Sequence, residues 1–229
     1  PTTFQDAIDM MKEYAIWDEA PASIREHLLE GLAHPEMETP KKLTNTRAYI
    51  HSVADPRSTC VAAANKAKEL GYTPYVLSTA LEGDACNLGI FFSGIANEVT
   101  KTGRPFAAPC AIISAGETTV TIHGPCGAGG PNQETALGYP LKLHAQSPTV
   151  CLSMDSDGTD GPSDIAGGIS DNQTFERACE LGLNLWEMLG RHDSSTALLQ
   201  LNDALITGHT GTNIMNFRVV VIEKKENES

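Results

Sequence analysis

One segment, 114–134, constrains the fold more than any other part of the chain. Polar and apolar residues alternate over 119–123, which is the pattern of a β-strand. A glycine-rich stretch follows at 124–130, and Pro131 then stands where a helix is expected to begin, because proline is favoured at the first helical position. A strand, a glycine-rich loop and a helix start are typical of an anion-binding site, since the first N–H groups of a helix favour negative charge. The glycines match neither common phosphate-binding fingerprint, so a plain surface connection is the alternative interpretation.

Two more loops rich in glycine and polar residues lie later in the chain, at 155–164 and 207–213. Each follows a short apolar segment, as the first loop does. Open α/β sheets bind ligands where their strands end, so we expect the three loops to lie at the same end of one sheet. The sequence therefore predicts a site built from loops.

The order of the predicted elements favours an α/β fold, a three-layer α/β/α arrangement with a mixed, mostly parallel sheet. We expect a helical leader and connector over 1–42, an α/β domain over 43–223 and a disordered tail over 224–229. Strands are predicted at 48–53, 75–78, 109–114, 118–123, 149–154 and 217–223. The third and fourth of these are close enough in sequence to form a hairpin. Helices are predicted at 55–71, 83–100, after 132, 175–181, 185–189 and 196–201.

The composition is that of an ordinary globular protein, with 41% hydrophobic and 20% charged residues. A net charge of −13 and scattered Lys and Arg argue against a nucleic-acid surface. No apolar segment reaches membrane length and no signal peptide is present, so we expect a cytoplasmic protein. The six cysteines form no CxxC pair, which argues against a zinc site. An anionic substrate would need a helix N-terminus, a divalent cation or a basic group from another domain.

Six blocks in a fixed order resemble one protein family. The blocks read PTTFQDAIDMMKEYAIWDEAP, LGYTPYVLSTALEGDA, SAGETTVTI, GGPNQE, DGTDGPSDIAGG, and ND followed by TGHTGTN. They are similar to the class of glycerate 2-kinases whose C-terminal part is called the MOFRL domain. The resemblance covers nearly the whole chain but only the later part of the family's length.

The resemblance implies transfer of a phosphoryl group from ATP to the 2-hydroxyl of D-glycerate, with Mg²⁺. It implies an active site in a cleft between this domain and an additional N-terminal α/β domain, supplied by a longer chain or by a partner chain. A homodimer is one expected assembly. Some members of the family are labelled hydroxypyruvate reductases, and this second activity remains an alternative, although the sequence shows no dinucleotide fingerprint.

Three positions depart from the family pattern. Pro131 stands where the family typically has Arg, Ala54-Asp55-Pro56 where it has Gly-Ser-Asn, and His209 where it has Pro. The first departure removes a guanidinium that would face a phosphate or carboxylate, and such a group is difficult to replace. A non-catalytic binding or assembly module that keeps the kinase fold is therefore the main alternative function.

Phosphoryl transfer needs positioned carboxylates, N–H groups and a base, and the resemblance directs these roles to the loops. The predicted catalytic residues are Asp157, Asp164 and Glu134. The predicted Mg²⁺ ligands are Asp157 and Asp160. The residues predicted to bind substrate or nucleotide are Glu117, Gly129, Gly130, Asn132, Thr210, Gly211, Thr212 and Asn213. The alternatives are structural: the aspartates would cap a solvated turn, Glu134 would complement a helix dipole, and the 210–213 segment would be a plain turn.

Overall fold

The computed structural model describes residues 3–42, 47 and 49–225, and these divide into two compact units, Pro1–His51 and Ser52–Ser229. The first unit contains helices α1 (Phe4–Glu13) and α2 (Ala22–Ala33), followed by a 3-10 turn at Pro35–Met37. Thr3 caps α1, because its side chain accepts a hydrogen bond from the backbone of Asp6 and the Asp6 carboxylate accepts one from the Thr3 backbone. The two predicted leader helices are thus present.

The second unit is built on a sheet that has six strands in the described residues. The strands are β1 (Thr73–Asp84), β2 (Cys110–Thr119), β3 (Thr149–Asp155), β4 (Gly167–Asp171), β5 (Ala204–Leu205) and β6 (Asn216–Ile222). Their spatial order is β1-β2-β6-β3-β4-β5, so the last strand lies in the middle of the sheet. The helices of this unit are α3 (Pro56–Glu69), α4 (Ala85–Thr102), α5 (Pro131–Gly138), α6 (Thr174–Glu180), α7 (Leu185–Gly190) and α8 (Ser194–Leu201).

Helices cover both faces of the sheet, which confirms the α/β/α prediction. On one face α3 packs through Cys60 and Ala67 against alternate residues of β2. On the other face α4 packs through Phe92 against Val220 and its neighbours. The sheet is mixed, as predicted, but the expectation that it is mostly parallel is wrong.

Among the pairs of neighbouring strands that the structure describes, only β1–β2 is parallel, and the other four pairs are antiparallel. Two connections explain this result. Helix α4 joins β1 to β2 as a crossover, which returns the chain in the same direction. The connection from β3 to β4 is a loop without a crossover helix, and β6 enters between β2 and β3 against the direction of both.

The predicted hairpin at 109–123 is also wrong, because one strand, β2, runs through the expected turn. Gly116 has a φ of +140°, and a Cβ at this position would meet the backbone of Leu81 on β1. A glycine was needed here for close strand contact, and not for a reversal of the chain. In the predicted strand at 48–53, residues 49–53 form neither helix nor strand, while Ala48 lies outside the described residues. Of the predicted tail, 226–229 also lies outside them.

The local signals for helices were reliable. Helix α3 lies within the helix predicted at 55–71: Asp55 caps it by accepting a hydrogen bond from the Ser58 backbone at 2.6 Å, and Pro56 occupies the first helical position. The helix predicted after 132 is α5, and it ends before Pro140. Within the described part of the chain, no helix is both long and apolar enough to cross a membrane.

The crossing of α4 and α5 fixes the position of α5 above the sheet. A Cβ at Gly89 of α4 would meet backbone atoms of Thr135 and Tyr139, and a Cβ at Gly138 would meet the backbone of Cys86. The two helices can therefore touch backbone to backbone. This contact holds the N-terminus of α5 at the end of the sheet where β2 and β3 finish.

Candidate functional site

The three loops predicted from the sequence meet in the structure. We call 124–130 loop A, 155–164 loop B and 207–213 loop C. Loop B contacts loop A where Gly161 lies against the carbonyl of Gly129. Loop B contacts loop C through a hydrogen bond of 3.0 Å from the Thr210 N–H to the Asp157 carbonyl. The prediction that all three lie at one end of the sheet is confirmed.

The glycines of these loops provide contact between the loops themselves. A Cβ at Gly127 would meet the side chain of Asp193, one at Gly129 would meet Ser194, and one at Gly130 would meet the carboxylate of Asp160. A Cβ at Gly158, which has a φ of +96°, would meet the carbonyl of Gly208. The close approach that these glycines allow is thus made by the protein's own chain.

Asp160 is the residue that joins loop B to helix α5. Its carboxylate accepts hydrogen bonds from the backbone N–H of Asn132 at 3.1 Å and of Gln133 at 2.9 Å, and from both side-chain amides. The residue is 2% exposed. Burial raises the pKa of the Asp160 carboxyl, and these hydrogen bonds oppose that rise. Asp160 therefore caps the free N–H groups of α5, which leaves it poorly suited to the metal role predicted for it.

Asn132 belongs to the same buried network. Its amide oxygen accepts a hydrogen bond of 2.7 Å from Ser153 of β3, and its amide nitrogen donates to Asp160. The side chain is fully buried, so the structure places this predicted substrate-binding residue inside the domain, where it links α5 to the sheet. A direct role in binding substrate would require the network to open.

Glu134 is buried beneath loop A and pairs with a histidine that the sequence did not single out. Nδ1 of His192 lies 2.9 Å from Oε1 of Glu134, and only 4% of the Glu134 side chain is exposed. Burial raises the pKa of the Glu134 carboxyl, whereas His192 lowers it. Both residues line a cavity of about 260 Å³ whose other walls include Gly129, Gly130 and Pro131.

A second group of carboxylates lies where β2 and β3 end. Glu117 follows Gly116 on β2, and Asp155 is the last residue of β3, opposite Asn216 of β6. Partial burial raises the pKa of the Glu117 carboxyl, and Asp155 acts in the same direction. Burial also raises the pKa of the Asp155 carboxyl, with further contributions from Asp157 and Asp160. These groups form an acidic wall beside loop B.

Arg218 is the buried cation behind this wall, and sequence reasoning missed it. The side chain is fully buried and donates to Thr118 Oγ1 at 2.6 Å and to the Gly116 carbonyl at 3.4 Å. It therefore holds β2 on both sides of Glu117. Burial lowers the pKa of Arg218, while the surrounding acidic groups oppose that effect. The sequence did contain a signal for Arg218, namely the alternation of β6. Asn216 and Arg218 lie on the same buried face of this strand as Val220 and Ile222.

Asp157 links loops B and C. Its Oδ1 atom accepts hydrogen bonds from the backbone and hydroxyl of Thr159, both at 2.9 Å, and its Oδ2 accepts one from the Asn213 side chain at 3.1 Å. These bonds lower the pKa of the Asp157 carboxyl, the Thr159 backbone contributing most. Thr210 donates its hydroxyl to the carbonyl of Ser156. The structure therefore brings Asp157, Thr210 and Asn213 together, with Gly211 and Thr212 exposed between them.

Asp164 lies in a different cavity from Glu134, another of the predicted catalytic residues. It is exposed and lines a second cavity with Gly158, Thr159, Gly208 and His209. Glu134 lines the cavity under loop A, on the other side of loop B. Glu134 and Asp164 thus line different cavities, and Asp157 is not among the lining residues of either.

The described residues contain no group of three or more His, Cys, Asp or Glu side chains arranged to hold a metal ion. Mg²⁺ does not require such a group, because it is commonly held by one or two carboxylates together with substrate phosphates and water. Asp157 and its neighbour Asp155 supply oxygen ligands of that kind at the surface of loop B. The donor set therefore fits Mg²⁺ brought in with a nucleotide.

Replacing Asp155 with Asn should stabilise the protein at pH 8 and have less effect near pH 4. The pKa of the Asp155 carboxyl is higher in the folded state than its unfolded value of about 3.9. Ionisation of this carboxyl therefore lowers the stability of the protein as the pH rises from the unfolded pKa through the folded pKa. Asn keeps an oxygen that can accept the hydrogen bond from the Asp157 backbone. Because Asp155 is only partly buried, we expect the Tm at pH 8 to rise by no more than about 2–4 °C. Thermal unfolding at both pH values measures this, and equal Tm values at pH 8 would contradict it.

Residues 110–216 match the model of the MOFRL family. The matched region begins at β2, ends at the first residue of β6 and contains all three loops. The chain is also 39% identical to a glycerate 2-kinase of Pyrococcus horikoshii over 98% of its own length, and 35% identical to a D-glycerate 2-kinase of Thermotoga maritima over 96%. It spans about half the length of these relatives, 51% and 50% respectively.

Two solved structures have the same fold. A crystal structure of a Pyrococcus horikoshii protein matches with a TM-score of 0.73 at 39% identity, over 98% of this chain and 51% of that one. A crystal structure of glycerate kinase from Thermotoga maritima matches with a TM-score of 0.76 at 35% identity, over 96% of this chain and 50% of that one. These likenesses confirm the fold class and the family resemblance of the six sequence blocks.

Proposed function

We propose that this chain, whose residues 110–216 match the model of the MOFRL family, acts in phosphoryl transfer from ATP to the 2-hydroxyl of D-glycerate. The relatives named glycerate 2-kinase support the substrate and the reaction class. One structural observation carries the proposal: the family match spans loops A, B and C, and these three loops converge at the end of the sheet.

The chain would supply one wall of the active site. It spans about half of its relatives' length, and its loops present carboxylates and hydroxyls but few basic groups. We propose that a further domain, in the same polypeptide or in a partner chain, faces these loops and supplies the remaining contacts. Phosphate groups carry several negative charges, so the acidic wall needs cationic compensation.

Mg²⁺ would provide part of that compensation. Asp157, with Asp155 beside it, would hold the ion, which neutralises charge on the phosphates of a bound nucleotide. Asp160 would not take part directly, because it caps α5. Thr212 and Asn213 of loop C would donate hydrogen bonds to phosphate or glycerate oxygens, and Thr210, whose hydroxyl donates to Ser156, would hold loop C against loop B. Asp164 would face the substrate from the cavity that it lines, and Glu117 from the end of β2.

A non-catalytic module is a second candidate, and Pro131 favours it. This residue occupies the first position of α5 and lines the cavity beside Glu134. A proline there leaves the fold undisturbed but offers no charge to a phosphate or carboxylate. Such a module would bind a partner or a ligand without turnover.

One experiment separates the two candidates. The protein is purified from its source, at whatever length it is made there, and is assayed for ATP- and Mg²⁺-dependent formation of 2-phosphoglycerate. Activity in the purified protein supports the kinase. If turnover is absent, and neither D-glycerate nor Mg-ATP raises the Tm, the kinase proposal is wrong and the module replaces it.

A further inference from the structure

His192 and Glu134 form a side-chain pair that the sequence did not suggest. The two residues are 58 positions apart in the chain, and their side chains meet on the wall of the cavity under loop A. His192 is the only Lys, Arg or His among the residues that line this cavity in the described part of the chain. The remaining wall consists of glycine, proline, apolar residues and one cysteine, so the pair is the polar centre of the cavity.

The backbone holds His192 in place from both sides. It occupies the turn between α7 and α8 with a φ of +54°, a conformation that few residues other than glycine adopt. Loop A is attached to this turn by hydrogen bonds from the Gly127 N–H to the Arg191 carbonyl at 2.8 Å and from the Ser195 N–H to the Ala128 carbonyl at 2.9 Å. The backbone that carries the ring is therefore attached to loop A, which itself lines the cavity.

The hydrogen bond to Glu134 determines what His192 can do. When Nδ1–H donates to the carboxylate, the other ring nitrogen, Nε2, carries the lone pair and can accept a proton. A carboxylate on Nδ1 also stabilises the imidazolium that forms when Nε2 takes that proton. About a fifth of the His192 side chain is exposed, 21%, whereas Glu134 is enclosed. The histidine can thus reach a ligand, and the glutamate cannot do so as readily.

We propose that His192 is the general base of the phosphoryl transfer proposed above, with Glu134 as the residue that positions its ring. The O–H bond of the attacking substrate hydroxyl breaks, and its proton passes to Nε2 of His192. The hydroxyl oxygen forms a bond to the terminal phosphorus of the nucleoside triphosphate. The bond from that phosphorus to the bridging oxygen breaks, and its electron pair leaves with the nucleoside diphosphate. The inference rests on the proposed function for its substrate and donor.

Three further ionisable groups lie near the pair of His192 and Glu134. Asp84 and Asp160 act on Glu134 through their charge, and the Cys86 thiol, whose pKa burial raises to about 11, lies near the same carboxylate. The negative charges of Asp84 and Asp160 raise the pKa of the Glu134 carboxyl, whereas the hydrogen bond from His192 lowers it.

The variant His192→Asn tests the base role. Asn tolerates a positive φ better than most residues, and its amide N–H₂ can donate to Glu134, but it cannot take a proton. In the protein purified at its natural length, we expect kcat for glycerate to fall at least about 100-fold while KM changes less than about threefold. The limb of the pH–rate profile in which the rate rises with pH should disappear. The matched control is His144→Asn, an exposed histidine elsewhere on the domain, which should leave both constants unchanged.

A second measurement does not depend on turnover. In ¹⁵N-labelled chain, the imidazole resonances of His192 should report a proton on Nδ1, and millimolar D-glycerate should shift the Nε2 resonance. The inference is overturned if glycerate leaves that resonance unchanged, or if His192→Asn retains more than about a hundredth of the wild-type kcat. In the latter case an active wild type leaves the proposed kinase function intact. A wild type that shows the shift but no phosphorylation overturns both the reaction and the base role.

Discussion

Replacing Asp160 with Ala should lower the free energy of unfolding by about 3 kcal/mol or more. The carboxylate accepts four hydrogen bonds from Asn132 and Gln133 in a fully enclosed setting. Alanine would leave two backbone N–H groups and two side-chain amides without these acceptors, and each buried donor then carries its desolvation cost. Urea denaturation at pH 7 measures the change.

The control is Asp164→Ala in the same loop. Asp164 is exposed, so we expect its replacement to change stability by no more than about 0.5 kcal/mol. The comparison also tests the metal role predicted for Asp160. If Asp160 is only a structural cap, Asp160→Ala should lower the free energy of unfolding by the same amount with Mg²⁺ and with a chelator. If the decrease appears only with Mg²⁺, Asp160 is a ligand of the ion.

The sequence was sufficient for features set by short-range chemistry. The caps at Thr3 and Asp55 and the helix start at Pro131 follow from hydrogen bonding and backbone preference within a few residues. Strand direction was not predictable in this way. Whether β6 lies at an edge or between β2 and β3 depends on contacts between segments about 60 to 110 residues apart, and an apolar run has the same pattern in either position.

In the candidate site, too, features set by short-range chemistry could be predicted from the sequence, whereas features set by contacts between distant segments could not. Convergence of the loops could be predicted because each loop follows a strand, and these strands finish at the same end of the sheet. The role of each carboxylate could not be predicted, because it depends on which hydrogen-bond donors the fold brings to that carboxylate. Asp160 and Asp157 are three residues apart in one loop, yet the first is enclosed by the N-terminus of α5 and the second faces loop C. His192 had no local signal, since only the fold places it beside Glu134.

Replacing Asp157 with Asn should greatly slow phosphoryl transfer while the domain remains folded. Asn retains one oxygen that can accept the hydrogen bonds from Thr159, so the turn of loop B is preserved. The change removes the negative charge that would hold Mg²⁺ and the oxygen that accepts from Asn213 of loop C. Losing one group that stabilises charge in the transition state typically costs about 100- to 1,000-fold in kcat, and we expect an effect in that range.

Steady-state assays over a range of Mg²⁺ concentrations measure this effect and its cause. If Asp157 holds the ion, higher Mg²⁺ should recover part of the lost rate, since weaker binding is offset by concentration. Asp18→Asn is the matched control, because it removes the same charge from an exposed site in the first unit and should leave the rate unchanged. Full turnover in folded Asp157→Asn would show that Asp157 serves only to join loops B and C. The acidic wall would then have to act through Glu117 and Asp155, and Arg218 holds β2 on both sides of Glu117.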